Sequence, residues 1–270
     1  MFRLEDLNTV ELRKNFEENN VLKYIFIDNF ISEDLALSLA DEHNNLPEEN
    51  WLDYSHTNQK KSGITDLSVM GEETRSLINK LQSPEFLKWL SEITGFKNLL
   101  SDPELDRAGL HRIDKGGFLN VHTDEQSHTK NRYWKRRLNL LLFLTPDFQQ
   151  SWGGDLELWD KKNKKIIESI VPKFNRCVLF ATDNKSFHGH PNPLKCPAGT
   201  ARRSIAIYYY EKVSKPLRVT PTTYMDLPGD SLKKRFAIKT NVLLLYLFAT
   251  LKRYTYISDE KINKIRLLFK

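Results

Sequence analysis

The chain has 270 residues and a mass of 31.7 kDa, with 40 % apolar and 28 % charged residues, a balance suited to a globular protein with a buried core. Its two cysteines, Cys177 and Cys196, are too few for a disulfide framework and point to a reducing, cytoplasmic setting. The net charge of +6 is uneven, with +8 over 211–270 and −2 over 1–210, so no basic groove surrounds the histidine-bearing part and nucleic acid is not an expected partner.

The opening segment, MFRLEDLNTVELRKNFEENN, is acidic and helical in pattern, without the basic start and apolar stretch of a secretion signal. YIFIDNF (24–30) alternates and reads as a strand. Ser32 then caps a helix to about His43, with Glu33 and Asp34 in its first turn. SPEFLKWLSEITGF (83–96) predicts a second helix with Ser83 as N-cap, Pro84 at the first helical position and Gly95 at its end. Residues 1–105 are therefore expected to form a support region of helices and strand.

From about residue 106 to 215 the texture changes to short strands. AGLHRI, FLNVHTD, RLNLLLFL, GDLELWD, KIIESIVP, RCVLFAT and RSIAIYYY are separated by the turn segments DKGG, TPDFQQSWGG and DKKNKK. Closely spaced strands without intervening helices predict a sandwich or barrel, so the fold class is mainly β with flanking helices. Gly153 and Gly154 are expected to serve a tight turn into DLELWD, not a phosphate cradle, because no helix follows.

After Lys215 a basic helical extension is expected over 216–270, with one long helix and a final capped one over SDEKINKIRLLFK. Its longest apolar run, VLLLYLFATL, has ten residues, half of the ~20 that cross a bilayer. A run apolar on all sides is expected to be buried against its own domain or in a homodimer. Its basic flanks, Lys239, Lys252 and Arg253, also suit a membrane surface.

The polar residues of the strand region form a set. His122 and Asp124 stand two apart, on one face of a strand or its end; His188 follows 64 residues after Asp124, and an arginine pair, Arg202 and Arg203, opens the last strand. Two neutral imidazoles and one carboxylate on one face of Fe(II) leave open positions for a 2-oxo acid and O2. The far carboxylate of such an acid suits arginine, which is always charged and can pair bidentately. Zinc accepts the same three ligands, so a non-catalytic metal-binding β-barrel is the competing reading.

Four blocks in order, GLHRIDKGGFLNVHTD, RRLNLLLFLTPDFQQSWGGDLELWD, VPKFNRCVLFATDNKSFHGHP and RRSIAIYYY, resemble the Fe(II)/2-oxoglutarate dioxygenase domain of the prolyl 4-hydroxylase type over residues 108–210. The resemblance implies a double-stranded β-helix (jelly roll). It makes His122, Asp124 and His188 the iron ligands and, through the pattern that follows it, Arg202 the cosubstrate anchor, with Arg203 as the alternative should the strand slip one residue. Relatives often carry a tyrosine toward the 2-oxoglutarate carboxylate where this chain has Phe143; Asn139, on the same strand face, is the candidate substitute contact. The implied cofactors are Fe(II), 2-oxoglutarate and O2, with ascorbate to rescue oxidised iron. The implied activity is hydroxylation of an unactivated C–H bond, nominally of peptidyl proline. A small-molecule, sugar or lipid substrate is the alternative, because the fold hosts many substrates.

Other residues carry weaker expectations. His111, on the strand entering the site, is assigned a supporting or substrate-facing role, and His190 the orienting of a loop. His128 is expected to be a solvated loop residue. The basic, aromatic loop 125–137 is read as an exposed charged loop or as a lid for an anionic or extended substrate, and Tyr208, Tyr209 and Tyr210 as packing residues at the barrel mouth.

Overall fold

The computed structural model describes Leu4 and residues 7–19, 21–218 and 221–254. The elements are α1 (Thr9–Glu18), β1 (Tyr24–Ile27), α2 (Glu33–Asn44), β2 (Leu52–His56), β3 (Gln59–Ile64), α3 (Glu72–Leu81), α4 (Pro84–Thr94) and β4 (Leu99–Ser101). They continue with β5 (Gly109–Asp114), β6 (Phe118–Thr123), β7 (Trp134–Phe143), β8 (Leu156–Asp160), β9 (Lys165–Ile170) and β10 (Cys177–Ala181). β11 (Phe187–His190), β12 (Ala201–Lys212), β13 (Thr223–Tyr224) and α5 (Leu232–Tyr254) complete them.

The strands join one curled antiparallel sheet in the order β1-β10-β7-β12-β5-β3-β6-β11-β8-β9, with β2 on β3, β4 on β12 and β13 on β6. The protein is thus mainly β with flanking helices, as expected. All seven strands anticipated after residue 106 form. The β2–β3 hairpin and β11 were not anticipated: LDYSHTNQKKSGI has no apolar alternation, and FHGH is only four residues long with a glycine inside.

Strict alternation gives the sheet two different faces. Along β7, Leu138, Leu140 and Leu142 join the large core beneath α1 to α4, together with Ile205, Ile207 and Tyr209 of β12 and Leu179 of β10. Their neighbours Phe143, Val178 and Phe180 point the other way, into the curl. Each fully buried Leu or Ile on the helix side contributes about 1.5–3 kcal/mol, so this layer fixes the sheet that carries the site. The expected capping of α4 is present: Ser83 Oγ accepts from Phe86 N at 3.2 Å, and Gly95 ends the helix in the left-handed conformation at φ 75°.

The apolar run of the C-terminal extension is only partly packed against its own domain. α5 runs unbroken over Leu232–Tyr254, yet Leu243, Tyr246 and Leu247 of the apolar run are exposed. The helix meets the domain through buried Ile238 and through Asn241, whose Oδ1 accepts from Asn58 Nδ2 at 3.1 Å. Among the described residues no helix is long and apolar enough to cross a membrane. The final helix expected over SDEKINKIRLLFK lies outside the described residues.

Candidate metal centre

The sheet brings His122 and His188 face to face. They are directly paired across β6 and β11, and their ring centroids lie 4.6 Å apart. Asp124 follows the end of β6 on the same side, placing Oδ1 3.5 Å from His122 Nε2 and Oδ2 3.6 Å from His188 Nε2. One donor atom from each residue lies within 4.8 Å of the others.

Each histidine is oriented by its other nitrogen. His122 Nδ1 lies 2.9 Å from Asn120 O, and His188 Nδ1 lies 3.0 Å from Ser186 O. A carbonyl can only accept, so each Nδ1 carries the proton and each Nε2 presents its lone pair to the shared space, the tautomer a metal requires. Burial pulls His188 down to about 4, which keeps that ring neutral around pH 7. Burial alone would push the Asp124 carboxyl up. The buried Arg136 guanidinium, 3.1 Å from Asp124 Oδ2, and the two imidazoles outweigh it and hold the group well below the usual carboxylate range. Asn139 Nδ2 donates to the same oxygen at 2.6 Å. The donor set is therefore two imidazoles, each oriented through its Nδ1, and one ionised, oriented carboxylate, which fits a divalent transition metal.

Arg202 and Arg203 part company in the structure. Arg202 is buried and lines the same recess as the three candidate ligands, whereas Arg203 is only partly buried and sits on the opposite face of β12. The Arg202 guanidinium lies over the Phe143 ring, 4.7 Å from its centroid, and its Nε is buried without a hydrogen-bond partner among the described residues. Burial lowers its affinity for the proton, to about 10, so the group stays charged around pH 7. A desolvated guanidinium with an unused donor is what the far carboxylate of a 2-oxo acid would satisfy. Phe143 gives the arginine an aromatic face and no phenolic donor. Asn139 is turned toward Asp124.

His111 and His190 also line the recess, His190 buried and His111 partly buried. Burial, with the charges of Lys61 and Arg202 behind it, holds both rings neutral. His128 is not solvated: it is buried, with Nε2 3.2 Å from Asp102 Oδ2 and Nδ1 accepting from the backbone of Lys130 and Asn131 at 3.1 Å each. The carboxylate draws the ring inward and the ring closes the turn. The loop 125–137 is tied down, because four of its five cations are held. Arg136 pairs with Asp124, Arg137 with Glu211, Lys130 with Glu104, and Arg132 Nε donates to Leu217 O. Tyr209 and Tyr210 are buried packing residues, and Tyr208 faces the recess beneath the Arg136 guanidinium at 3.7 Å.

Two residues of the site were missed in the sequence. Arg136 lay hidden in a basic run, and Lys61 came from a hairpin with no strand signal. Lys61 lines the recess together with the candidate ligands.

Residues 108–210 match the family model described as the 2OG-Fe(II) oxygenase superfamily. Over 207 residues the chain is 27 % identical to the prolyl 3-hydroxylase OGFOD1 of Mus musculus, covering 75 % of this chain and 33 % of that one. It is 25 % identical to the Xenopus laevis protein of the same name over 173 residues, 61 % of this chain and 31 % of that one. The chain thus spans about a third of the length of these curated relatives. Among solved structures it is similar to a prolyl hydroxylase from Trichoplax adhaerens in complex with a hypoxia inducible factor peptide fragment, with TM-score 0.51, 21 % identity, 77 % of this chain and 89 % of that one. A Pseudomonas putida prolyl-4-hydroxylase gives TM-score 0.52 at 15 % identity, over 74 % of this chain and 99 % of that one. Likeness at these identities shows the fold, a double-stranded β-helix.

Proposed function

We propose, from the premise that residues 108–210 form a 2OG-Fe(II) oxygenase domain of the prolyl-hydroxylase type, that the chain is a hydroxylase acting on an unactivated C–H bond, nominally of a peptidyl proline. The family uses Fe(II), 2-oxoglutarate and O2, and these, when bound, supply the oxidising power and release succinate and CO2. The observation that carries the reading is the convergence of His122, Asp124 and His188 with the unpartnered Nε of buried Arg202 in one recess.

In this reading the chain's own residues bind, orient and exclude water. His122 and His188 offer Nε2 to the metal because backbone carbonyls hold their Nδ1 protons. Asp124 stays ionised beside them, oriented by Arg136 and Asn139. Arg202 takes the far carboxylate of the cosubstrate, and Leu141, Leu156 and Phe180 form the apolar wall that keeps water from the reacting position. Peptidyl proline as substrate rests on the names of the relatives, whose prolyl hydroxylases include one solved with a peptide.

The test is an anaerobic Fe(II) titration with and without 2-oxoglutarate, following the visible metal-to-ligand charge-transfer band. A band that needs both components and vanishes in His188→Ala is expected. Iron uptake by folded protein without such a band would overturn the reading in favour of a zinc site or a binding barrel.

A further inference from the structure

The cations around the recess are unevenly matched. Arg107 pairs with Glu125 at 2.7 Å and Arg136 with Asp124 at 3.1 Å. Arg202 is assigned above to the far carboxylate of the cosubstrate. Lys61 is left over: it lines the recess with the candidate ligands, its ammonium lies 5.8 Å from the Tyr54 ring centroid, and among the described residues it makes no hydrogen bond or ion pair.

Charge counting on the loaded site gives the same result. A divalent metal would be balanced by Asp124 and the near carboxylate of 2-oxoglutarate, and Arg202 by the far one. Asp124 would then be shared between the metal and Arg136, and the positive charge of Lys61 remains without a counterpart of its own. Arg136 is buried behind Asp124 and stacked on Tyr208, so it cannot reach a visitor. Lys61 is only partly buried and belongs to the wall of the recess.

The position of Lys61 is imposed by the backbone. β3 pairs with β5 through Ser62, Gly63 and Ile64 and with β6 through Gln59 and Lys60, so Lys61 stands where β3 passes from one strand to the other. Gly63 lets the hairpin approach closely, since a Cβ there would lie 3.3 Å from Leu110 O and 3.4 Å from His111 Cδ2. Burial lowers the Lys61 ammonium to about 8, an effect opposed by Asp124 and reinforced by Arg202, yet the group is still mostly charged at pH 7. Keeping an unpaired ammonium in such a place is costly unless an anion visits it.

We propose that Lys61 is a specificity-determining residue that receives an anionic group, carboxylate or phosphate, of the substrate being oxidised. This rests on the oxygenase reading above. It moves the recognition of an anionic substrate from the tied-down loop 125–137 to the β2–β3 hairpin.

The experiment uses the full chain loaded anaerobically with Fe(II) and 2-oxoglutarate, with the charge-transfer band as proof of loading. Inorganic phosphate is then titrated and its 31P line width followed, since high-spin iron broadens only phosphate held nearby; acetate, followed by its 1H line width, gives the carboxylate arm. The expected result is saturable broadening of at least one anion in the wild type. Its affinity should weaken tenfold or more in Lys61→Met and be retained in Lys61→Arg, with the 2-oxoglutarate titration moved by less than threefold in both. Two outcomes overturn the proposal: no saturable broadening of either anion in a loaded wild type, or affinity unchanged in Lys61→Met. A third, a tenfold loss of 2-oxoglutarate affinity in Lys61→Met, would assign the lysine to the cosubstrate. Failure of the band itself, before any anion is added, would instead strike the oxygenase reading and this proposal with it.

Discussion

Arg136 Nη1 lies 3.1 Å from Asp124 Oδ2, inside the sheet and clear of solvent, so the carboxylate that faces both histidines also answers a buried guanidinium. Burial opposes the charge on Arg136, and the Asp124 carboxylate, together with Tyr210 and Tyr208, more than offsets it. Each ion stabilises the charge of the other.

Removing the guanidinium should therefore cost metal binding as well as stability. In Arg136→Met, Asp124 loses its main positive neighbour and one of the two groups that orient it. Iron affinity is expected to fall about 10- to 100-fold, as for outer partners of metal ligands generally. The folded state should lose about 3–5 kcal/mol, as when one partner of a buried pair is removed. Anaerobic Fe(II) titration and denaturant unfolding check the two effects separately. Iron affinity equal to wild type would refute the orienting role.

Arg202→Met should separate the cosubstrate from the metal. Charged hydrogen bonds contribute about 1.5–3 kcal/mol, so 2-oxoglutarate affinity is expected to drop about 10- to 100-fold. Fe(II) uptake without 2-oxoglutarate should stay within threefold of wild type, because Arg202 is not one of the three candidate ligands. Parallel calorimetric titrations with metal and with cosubstrate give both numbers. Equal losses in the two would mean that Arg202 holds up the whole recess.

Gly154 turns the chain into β8 at φ 80°, and a Cβ there would stand 2.7 Å from Leu194 Cδ1 and 3.3 Å from Arg202 Cδ. Gly154→Ala would combine left-handed backbone strain of about 1–2 kcal/mol with pressure on the arginine stem. The expected outcome is a lower melting temperature together with weaker 2-oxoglutarate binding, while iron binding is kept. A variant that melts lower with cosubstrate affinity untouched would show that the stem simply moves aside.

His43 sits in the core against Trp51, with ring centroids 4.9 Å apart, and burial pulls it down to about 3. In the unfolded chain the same group titrates near 6.5. Below that value the unfolded state binds a proton that the folded state refuses, so stability present above pH 6.5 is lost as the pH falls toward 3. Between pH 7.5 and 5 the wild type should lose about 2 kcal/mol more than His43→Leu does. Urea unfolding of both proteins at the two pH values, in the presence of chelator, measures this. Parallel pH profiles would show that His43 is protonated in the folded protein.

How much of this could be seen in the sequence depended on alternation. Along β12, a regular period of two set Arg202, Ser204 and Tyr208 on one face and Ile205, Ile207 and Tyr209 on the other, and the structure keeps that division. β7 breaks the period. Tyr209 pairs with Leu138 but Tyr210 with Arg136, so Arg137 is skipped and the alternation resets. That is why Arg136 reaches Asp124 from the same side as Asn139, although the two are three residues apart. Counting by twos from Asn139 sends Arg137 inward instead; the structure turns Arg137 toward Phe96, on the helix side. His128 was hidden for another reason. Its partner Asp102 lies in a different turn, and no local pattern signals that pairing. Lys61 belongs to a hairpin made of polar residues, whose only mark in the sequence is Gly63.

The β2–β3 hairpin has one more consequence. The candidate ligands ride on or next to β6 and β11, while Lys61 enters on a loop of chain that is separate in sequence and tied at its tip to α5 through Asn58 and Asn241. The candidate ligands and the proposed selector thus come from separate stretches of the chain. Residues 59–64 are nevertheless laced to β5 and β6, and Asn58 holds Asn120, whose carbonyl orients His122, so a change in the hairpin that spares Asn58 could retune what the recess accepts while the metal grip is kept.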